Sequence, residues 1–275
     1  MSEVLRYAAF TDRPSGGNPA GVVLDATGMS DAEMLQIAAE LGYSESAFLT
    51  GDRLRYFSPL AEVAFCGHAT VATAVALAER EGAGERVFET THGPVAVTTR
   101  ANDGRVAATM TTVAPRVVDL AEDDLDEILA AFGWQRADLD PALPPRVAFA
   151  GVWHPVIAAA TRERLAALDY DFDRLGALMT ARDWTTIQVV WRESETSFHA
   201  RDPFPPGGAV EDPATGAAAA ALGAYLRELG LITPPASVSI VQGEDMGPPA
   251  RRSELTVDVH ADRPEIDVTG TAVVI

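Results

Sequence analysis

The chain has 275 residues, 47% hydrophobic and 22% charged, with a formal net charge of −19 and no lysine. This balance excludes whole-chain disorder, and without a run of ~20 apolar residues the chain has no membrane-spanning helix. The charge argues against nucleic acid and anionic membranes as partners; the missing lysine removes Schiff-base, pyridoxal-phosphate and Walker-type phosphate-loop chemistry.

A small anionic substrate remains feasible in a pocket whose local field beats the global one. A single cysteine, Cys66, excludes an intrachain disulfide framework and fits a reducing compartment. The opening residues Met1-Ser2-Glu3-Val4-Leu5-Arg6 lack a basic patch followed by an apolar core, so no secretory leader is expected and the protein is expected in the cytoplasm.

In chain order, Val4–Phe10 and Gly21–Leu24 read as short strands around a turn at Ser15-Gly16-Gly17-Asn18-Pro19. Ser30 is an N-cap for a helix over Asp31–Leu41, with Glu33 at the capping-box position and an apolar stripe of Met34, Leu35, Ile37, Ala38 and Leu41. Strands follow at Ser46–Thr50 and Leu54–Phe57. A Gly-led helix from His68 to about Arg80 is apolar on all sides and therefore buried. Val95–Thr99 and Val106–Thr112 form a hairpin around Asn102-Asp103-Gly104. A transition begins at Ala114-Pro115, Asp119–Glu127 is an acidic surface helix, and Pro141–Pro145 is a loop.

From there the pattern recurs. Asn18-Pro19-Ala20-Gly21-Val22-Val23 has a counterpart in His154-Pro155-Val156-Ile157-Ala158, followed by a helix over Asp171–Met179. Cys66-Gly67-His68-Ala69-Thr70 has one in Thr215-Gly216-Ala217-Ala218-Ala219, which opens a second Ala-rich helix ending at Gly230. We read two copies of one unit, each a curved sheet wrapped on a central helix. Each Gly-led helix start offers backbone N–H groups and the positive end of a dipole to an anion. Cys66 and His68 flank the first; Glu211, Asp212 and Thr215 precede the second. Glu45 lies between a helix end and a strand, where a side chain can point into a cleft. Glu62 reads as a structural partner. His92, His154, His199 and His260 lack metal-ligand spacing. Trp134, Trp153, Trp184 and Trp191 read as packing residues.

Several blocks together resemble one family. They are Gly17-Asn18-Pro19-Ala20-Gly21-Val22-Val23, Ser44-Glu45-Ser46-Ala47-Phe48, Arg55-Tyr56-Phe57-Ser58-Pro59, and Glu62-Val63 leading to Phe65-Cys66-Gly67-His68-Ala69-Thr70. Phe204, Pro206, Gly208, Glu211-Asp212-Pro213-Ala214-Thr215-Gly216, Gln242-Gly243 and Met246-Gly247 continue the series. The chain resembles the PhzF-like phenazine-biosynthesis family, of diaminopimelate-epimerase-like fold.

The resemblance implies an α+β fold of two pseudo-symmetric domains, each a rolled, mostly antiparallel sheet around a central helix. The expected division is 1–114, joined by a C-terminal strand over 266–275, and 115–265, with the active site in the cleft between them. It implies a homodimer that uses no cofactor and no metal. The implied activity is a proton shift on a small carboxylate-bearing cyclic substrate, trans-2,3-dihydro-3-hydroxyanthranilate or an analogue. Glu45 is then the general acid/base, and His68 and Asp212 bind substrate and shape the proton relay. Gly67, Gly216, Ala217 and Asn18 complete the substrate-binding set. A carboxylate poised near the operating pH by burial can remove a C–H proton and return it.

Two positions depart from the family pattern. Ala217 stands where a serine is common, and Pro248-Pro249-Ala250 replace Arg-Pro-Ser, so a hydroxyl and a basic contact are missing. Related racemases use two facing cysteines; with Cys66 alone, a symmetric two-thiol mechanism is excluded. An epimerase pairing Cys66 with a non-cysteine base, and a small-acid-binding or partner-interaction protein without chemistry, stand as alternatives.

Overall fold

The computed structural model describes residues 3–247 and 249–275. Met1 and Ser2 of the leader reading, and Pro248 of the departure after Met246-Gly247, lie outside the described residues. The fold is mixed α/β and divides into two compact units. One extends to Thr111 and takes back Thr269–Ile275; the other is Thr112–Val268.

The first unit contains β1 (Leu5–Ala9), β2 (Asn18–Val23), α1 (Asp31–Leu41), β3 (Glu45–Thr50), β4 (Arg53–Phe57), β5 (Glu62–Val63), α2 (Gly67–Glu81), β6 (Glu85–Thr90), β7 (Gly93–Asn102) and β8 (Arg105–Thr111). β1 pairs antiparallel with β2, β2 parallel with β3 across α1, and β3 antiparallel with β4. β4 pairs parallel with β6 across α2, and β6, β7 and β8 continue antiparallel.

Local chemistry explains the helices. Ser30 accepts from the Glu33 N–H while the Glu33 carboxylate accepts from the Ser30 N–H at 2.7 Å, which starts α1. Gly42, at φ 67°, ends it. Met34 and Ala38 pack on Val23, Phe48 and Phe57. In α2 every residue from His68 to Ala78 is buried. Its threonines bond back within the helix, Thr70 and Thr73 donating to the Cys66 and Ala69 carbonyls at 2.7 Å. The β7–β8 hairpin turns on Asp103 and Gly104, both at positive φ.

The second unit contains β9 (Arg116–Asp119), α3 (Glu122–Phe132), β10 (Arg146–Phe149), β11 (Trp153–Ala158), α4 (Arg162–Ala166), α5 (Phe172–Arg182), β12 (Gln188–Arg192), β13 (Ser197–Phe204), β14 (Ala209–Asp212), α6 (Gly216–Glu228), β15 (Ala236–Gln242) and β16 (Ser253–Val259). β9, β10 and β11 pair antiparallel in turn, and β11 pairs parallel with β12 across α4 and α5. β12 pairs antiparallel with β13, β13 parallel with β15 across α6, and β15 antiparallel with β16. On α6, Gly223 lets the helix approach β16: a Cβ there would stand 2.7 Å from Val257. A separate core lies where α3 and α5 pack, with Ile128, Leu129, Phe132, Leu175, Met179, Trp134 and Trp184 buried.

The final strand, β17 (Ile266–Val274), starts in the second unit and finishes in the first. There it pairs with β1 and β8, so that β1, β2, β3, β4, β6, β7, β8 and β17 form a closed ring with α2 packed against its strands. Among the described residues, no helix is long and apolar enough to cross a membrane.

The structure corrects three local expectations. Asn18 and Pro19 lie in β2, opposite Ala9 and Ala8, because strand pairing overrides their turn preference. Glu45 is the first residue of β3 and pairs with Ala20. The acidic helix starts at Glu122, not Asp119, because the buried stripe Leu125, Ile128, Leu129 and Phe132 sets its frame.

Candidate active site

Four side chains meet at the start of α2. Cys66 is the N-cap residue, extended at φ −147°, and its thiol makes no cap hydrogen bond. The thiol lies 3.3 Å from His68 Nδ1 and 3.6 Å from Glu45 Oε2. His68 Nε2 lies 3.7 Å from the same Glu45 oxygen and 3.5 Å from Ser44 Oγ. Asn18, at the start of β2, places its amide nitrogen 3.1 Å from His68 Nδ1. With that amide orientation Nδ1 accepts, so the ring proton resides on Nε2, facing Glu45. Cys66, His68 and Asn18 are buried, while the Glu45 side chain keeps 17% of its surface exposed. Parallel neighbours β2 and β3 thus place Asn18 and Glu45 at their leading ends, and α2 brings Cys66 and His68 to both. Among the described residues this is the cluster whose Cys, His and carboxylate atoms stand close enough to share a metal ion.

The start of α6 carries a different arrangement. Thr215, its N-cap, makes no side-chain cap bond; its hydroxyl donates instead to Asp212 Oδ2 at 2.6 Å. Gln242 closes the corner, donating to the Asp212 carbonyl at 2.7 Å and accepting from the Thr215 N–H at 3.2 Å. Asp212 sits opposite Asp202 in the β13–β14 pair. Asp202 is fully buried and accepts from Thr186 at 3.1 Å; the Gln188 amide, nitrogen inward, donates to both its oxygens at 2.7 and 2.8 Å. Burial, reinforced by the nearby Asp212, pushes the Asp202 carboxyl well above the usual carboxylate range. His154, also fully buried, stands 2.9 Å from Thr186 through Nδ1, and burial lowers its pKa to about 4, so the ring is neutral near pH 7. Gly216 and Ala217 form the first turn of α6.

Sequence reasoning missed Asp202, Thr186 and Gln188. No local spacing flags them. The signal lies in the fold, which aligns three adjacent strands.

Neighbouring charges have structural roles. Arg201 and Glu211 form a buried bidentate pair, and Arg201 Nη1 also donates to the carbonyls of Leu165, Ala166 and Leu168. Glu62 holds Arg55 through two 2.7 Å contacts, and Arg55 also binds Asp31. His199 contacts Glu244, and His260 contacts Asp267. Trp134 and Trp184 are buried in the α3–α5 core, with Trp153 and Trp191 packed against it.

The family model described as phenazine biosynthesis-like protein matches residues 7–275. The chain belongs to this PhzF-like family. Its relatives include an uncharacterised isomerase of Bacillus subtilis, 30% identical, with 99% of this chain and 96% of the relative covered. The trans-2,3-dihydro-3-hydroxyanthranilate isomerase of Pseudomonas fluorescens is 32% identical, with 91% and 88% covered. A crystal structure of a PhzF-family phenazine biosynthesis protein from Bacillus anthracis superposes at a TM-score of 0.87 with 29% identity, covering 99% of this chain and 96% of the other. The chain is an enzyme of the isomerase class.

Proposed function

We propose that this PhzF-like enzyme moves a proton within a small carboxylate-bearing cyclic acid, without a cofactor. The observation that carries this reading is the position of Glu45. Its Oε2 is backed by Cys66 and by the Nε2 face of His68, while part of the carboxylate remains open to solvent. Glu45 takes a C–H proton from the substrate and returns it to another carbon. His68, held by Asn18, orients Glu45 and the substrate. The Cys66 side chain does not cap α2, so the first-turn backbone at Gly67 is assigned to an anionic group, where the helix dipole favours the charge that develops.

In the second unit, Asp212 and the first turn of α6 at Gly216 and Ala217 are assigned to substrate binding. The order of strand pairings supports a duplication. Each unit runs antiparallel, parallel across a helix, antiparallel, then parallel across an Ala-rich helix. Pseudo-symmetric halves of the diaminopimelate-epimerase-like kind, and a homodimeric assembly, are part of this reading.

The compound named for the Pseudomonas fluorescens relative, trans-2,3-dihydro-3-hydroxyanthranilate, is the first substrate to try. Proton movement is followed by NMR in deuterated buffer. Glu45→Gln is expected to lower turnover at least ~100-fold with folding intact; an active Glu45→Gln protein sinks the assignment. A second reading is an epimerase using Cys66 with a non-cysteine base, for which the thiol's place beside Glu45 and His68 speaks. Full activity in Cys66→Ala removes it. Binding of the acid without proton exchange would mark a binding protein instead.

A further inference from the structure

We propose that Asp202 is a positioning residue for the assigned reaction: it stays a protonated carboxylic acid, shares its proton with Asp212, and so keeps Asp212 as the ionised member of the pair. The two residues are direct partners in the antiparallel β13–β14 ladder, with Asp202 opposite Asp212 and Pro203 opposite Glu211. Side chains of directly opposed residues leave the same face of a sheet, with Cβ atoms about 4.5–5.5 Å apart. Two carboxyls held that close resist carrying two charges at once. Asp202 is wholly buried and Asp212 only half-buried, so the buried member is the one that keeps the proton.

The surroundings act in the same sense. Strand alternation sends Arg201 to the other face of β13, where Glu211 takes it in a bidentate pair. Among the described residues, the hydrogen bonds to Asp202 come from neutral groups, the Gln188 amide at 2.7 and 2.8 Å and the Thr186 hydroxyl at 3.1 Å. His154 stands behind Thr186 at 2.9 Å and is itself neutral, so it brings no positive charge. Asp212 and Glu211 are the acidic groups whose charge reaches Asp202, and both oppose a further negative charge there. Register shows how Gln188 came to this place. It pairs with Val156, two residues after His154, as Glu45 pairs with Ala20, two residues after Asn18. The second unit thus puts an amide donor where the first has a carboxylate. The Thr215 hydroxyl at 2.6 Å and the acid proton of Asp202 both favour the charged form of Asp212. The effect on substrate rests on the assignment of Asp212 to binding; the shared proton does not.

Infrared spectra of the full chain in deuterated buffer, without substrate, test the pair. Wild-type protein is expected to show the C=O stretch of a protonated carboxyl at neutral pH, set apart from the carboxylate stretches. Asp202→Asn is expected to lose that band. Asp212→Asn is expected to keep it and to move its disappearance to lower pH, because the neighbouring charge is gone. In proton-exchange assays the wild-type KM is expected to rise about tenfold as pH climbs through the midpoint at which the band fades, and Asp202→Asn to lack that rise. A packing role alone would leave the two pH profiles alike. Absence of the band in wild type, its survival in Asp202→Asn, or coincident KM profiles overturns the proposal. The expected bands in a protein whose Glu45→Gln variant is fully active defeat the acid/base assignment and leave the shared proton standing.

Discussion

At the start of α2 the fold gathers a thiol, an imidazole and a partly exposed carboxylate. At the start of α6 a hydroxyl and an amide bond to Asp212, and Asp202 stands opposite it in the strand pair. Both helices are Ala-rich and each forms the crossover between two parallel strands. Neither is capped by its own N-cap side chain. The diverted cap is what the two regions share; what it is diverted toward differs. In the first unit the cap side chain joins reactive groups. In the second it fixes Asp212 in a hydrogen-bonded frame. One scaffold thus gathers a thiol, an imidazole and a carboxylate at one helix start and a hydrogen-bonded frame at the other; under the proposed function the first does the chemistry and the second holds the substrate.

Four measurements sharpen or break this contrast. The largest effect is expected from Glu211→Ala, which leaves Arg201 buried without its carboxylate and costs about 3–5 kcal/mol of stability, read by denaturant unfolding. A much smaller loss would mean the second unit is more pliable than a holder should be. Thr215→Val removes the 2.6 Å bond to Asp212. It is expected to raise KM about tenfold with little change in kcat, since a frame residue acts on binding rather than on proton transfer. An equal fall in kcat would place Thr215 in the chemistry.

Asp202→Asn probes the frame by pH. The folded-state pKa of Asp202 is raised, so its stabilising contribution is complete below the ordinary carboxylate value of 3.8 and is lost as pH rises through the raised value. The difference in Tm between wild type and Asp202→Asn is expected to shift in favour of the variant as pH rises through that window. A flat difference would show that Asp202 is ionised in the fold. The smallest effect belongs to Tyr56→Phe, which removes the 2.6 Å bond to Thr70 on α2. It is expected to cost about 1 kcal/mol, detected by thermal melting.

Legibility in the sequence followed the range of the interactions. Helix α1 was readable end to end because Ser30, Glu33 and Gly42 encode its start and stop within a few residues. Glu45, Cys66, His68 and Asp212 lie in dense motif blocks and could be singled out by resemblance. Two things were not legible. Asn18-Pro19 carries a turn preference that strand pairing overrides. The buried support of Asp212 comes from Asp202, Thr186, Gln188 and Gln242, which meet only when β12, β13, β14 and β15 come together.

The closure of the first unit's ring by β17 bears on how the protein is made. Thr271 bonds Thr11 across 260 positions of chain. On the ribosome, α2 is synthesised early but must wait for nearly all of the remaining polypeptide before the eighth strand can wrap it. Contacts of such long sequence separation form late and slowly. The early-made unit thus depends on the late-made β17, so that a truncation removing β17 damages the half of the molecule furthest from it in sequence.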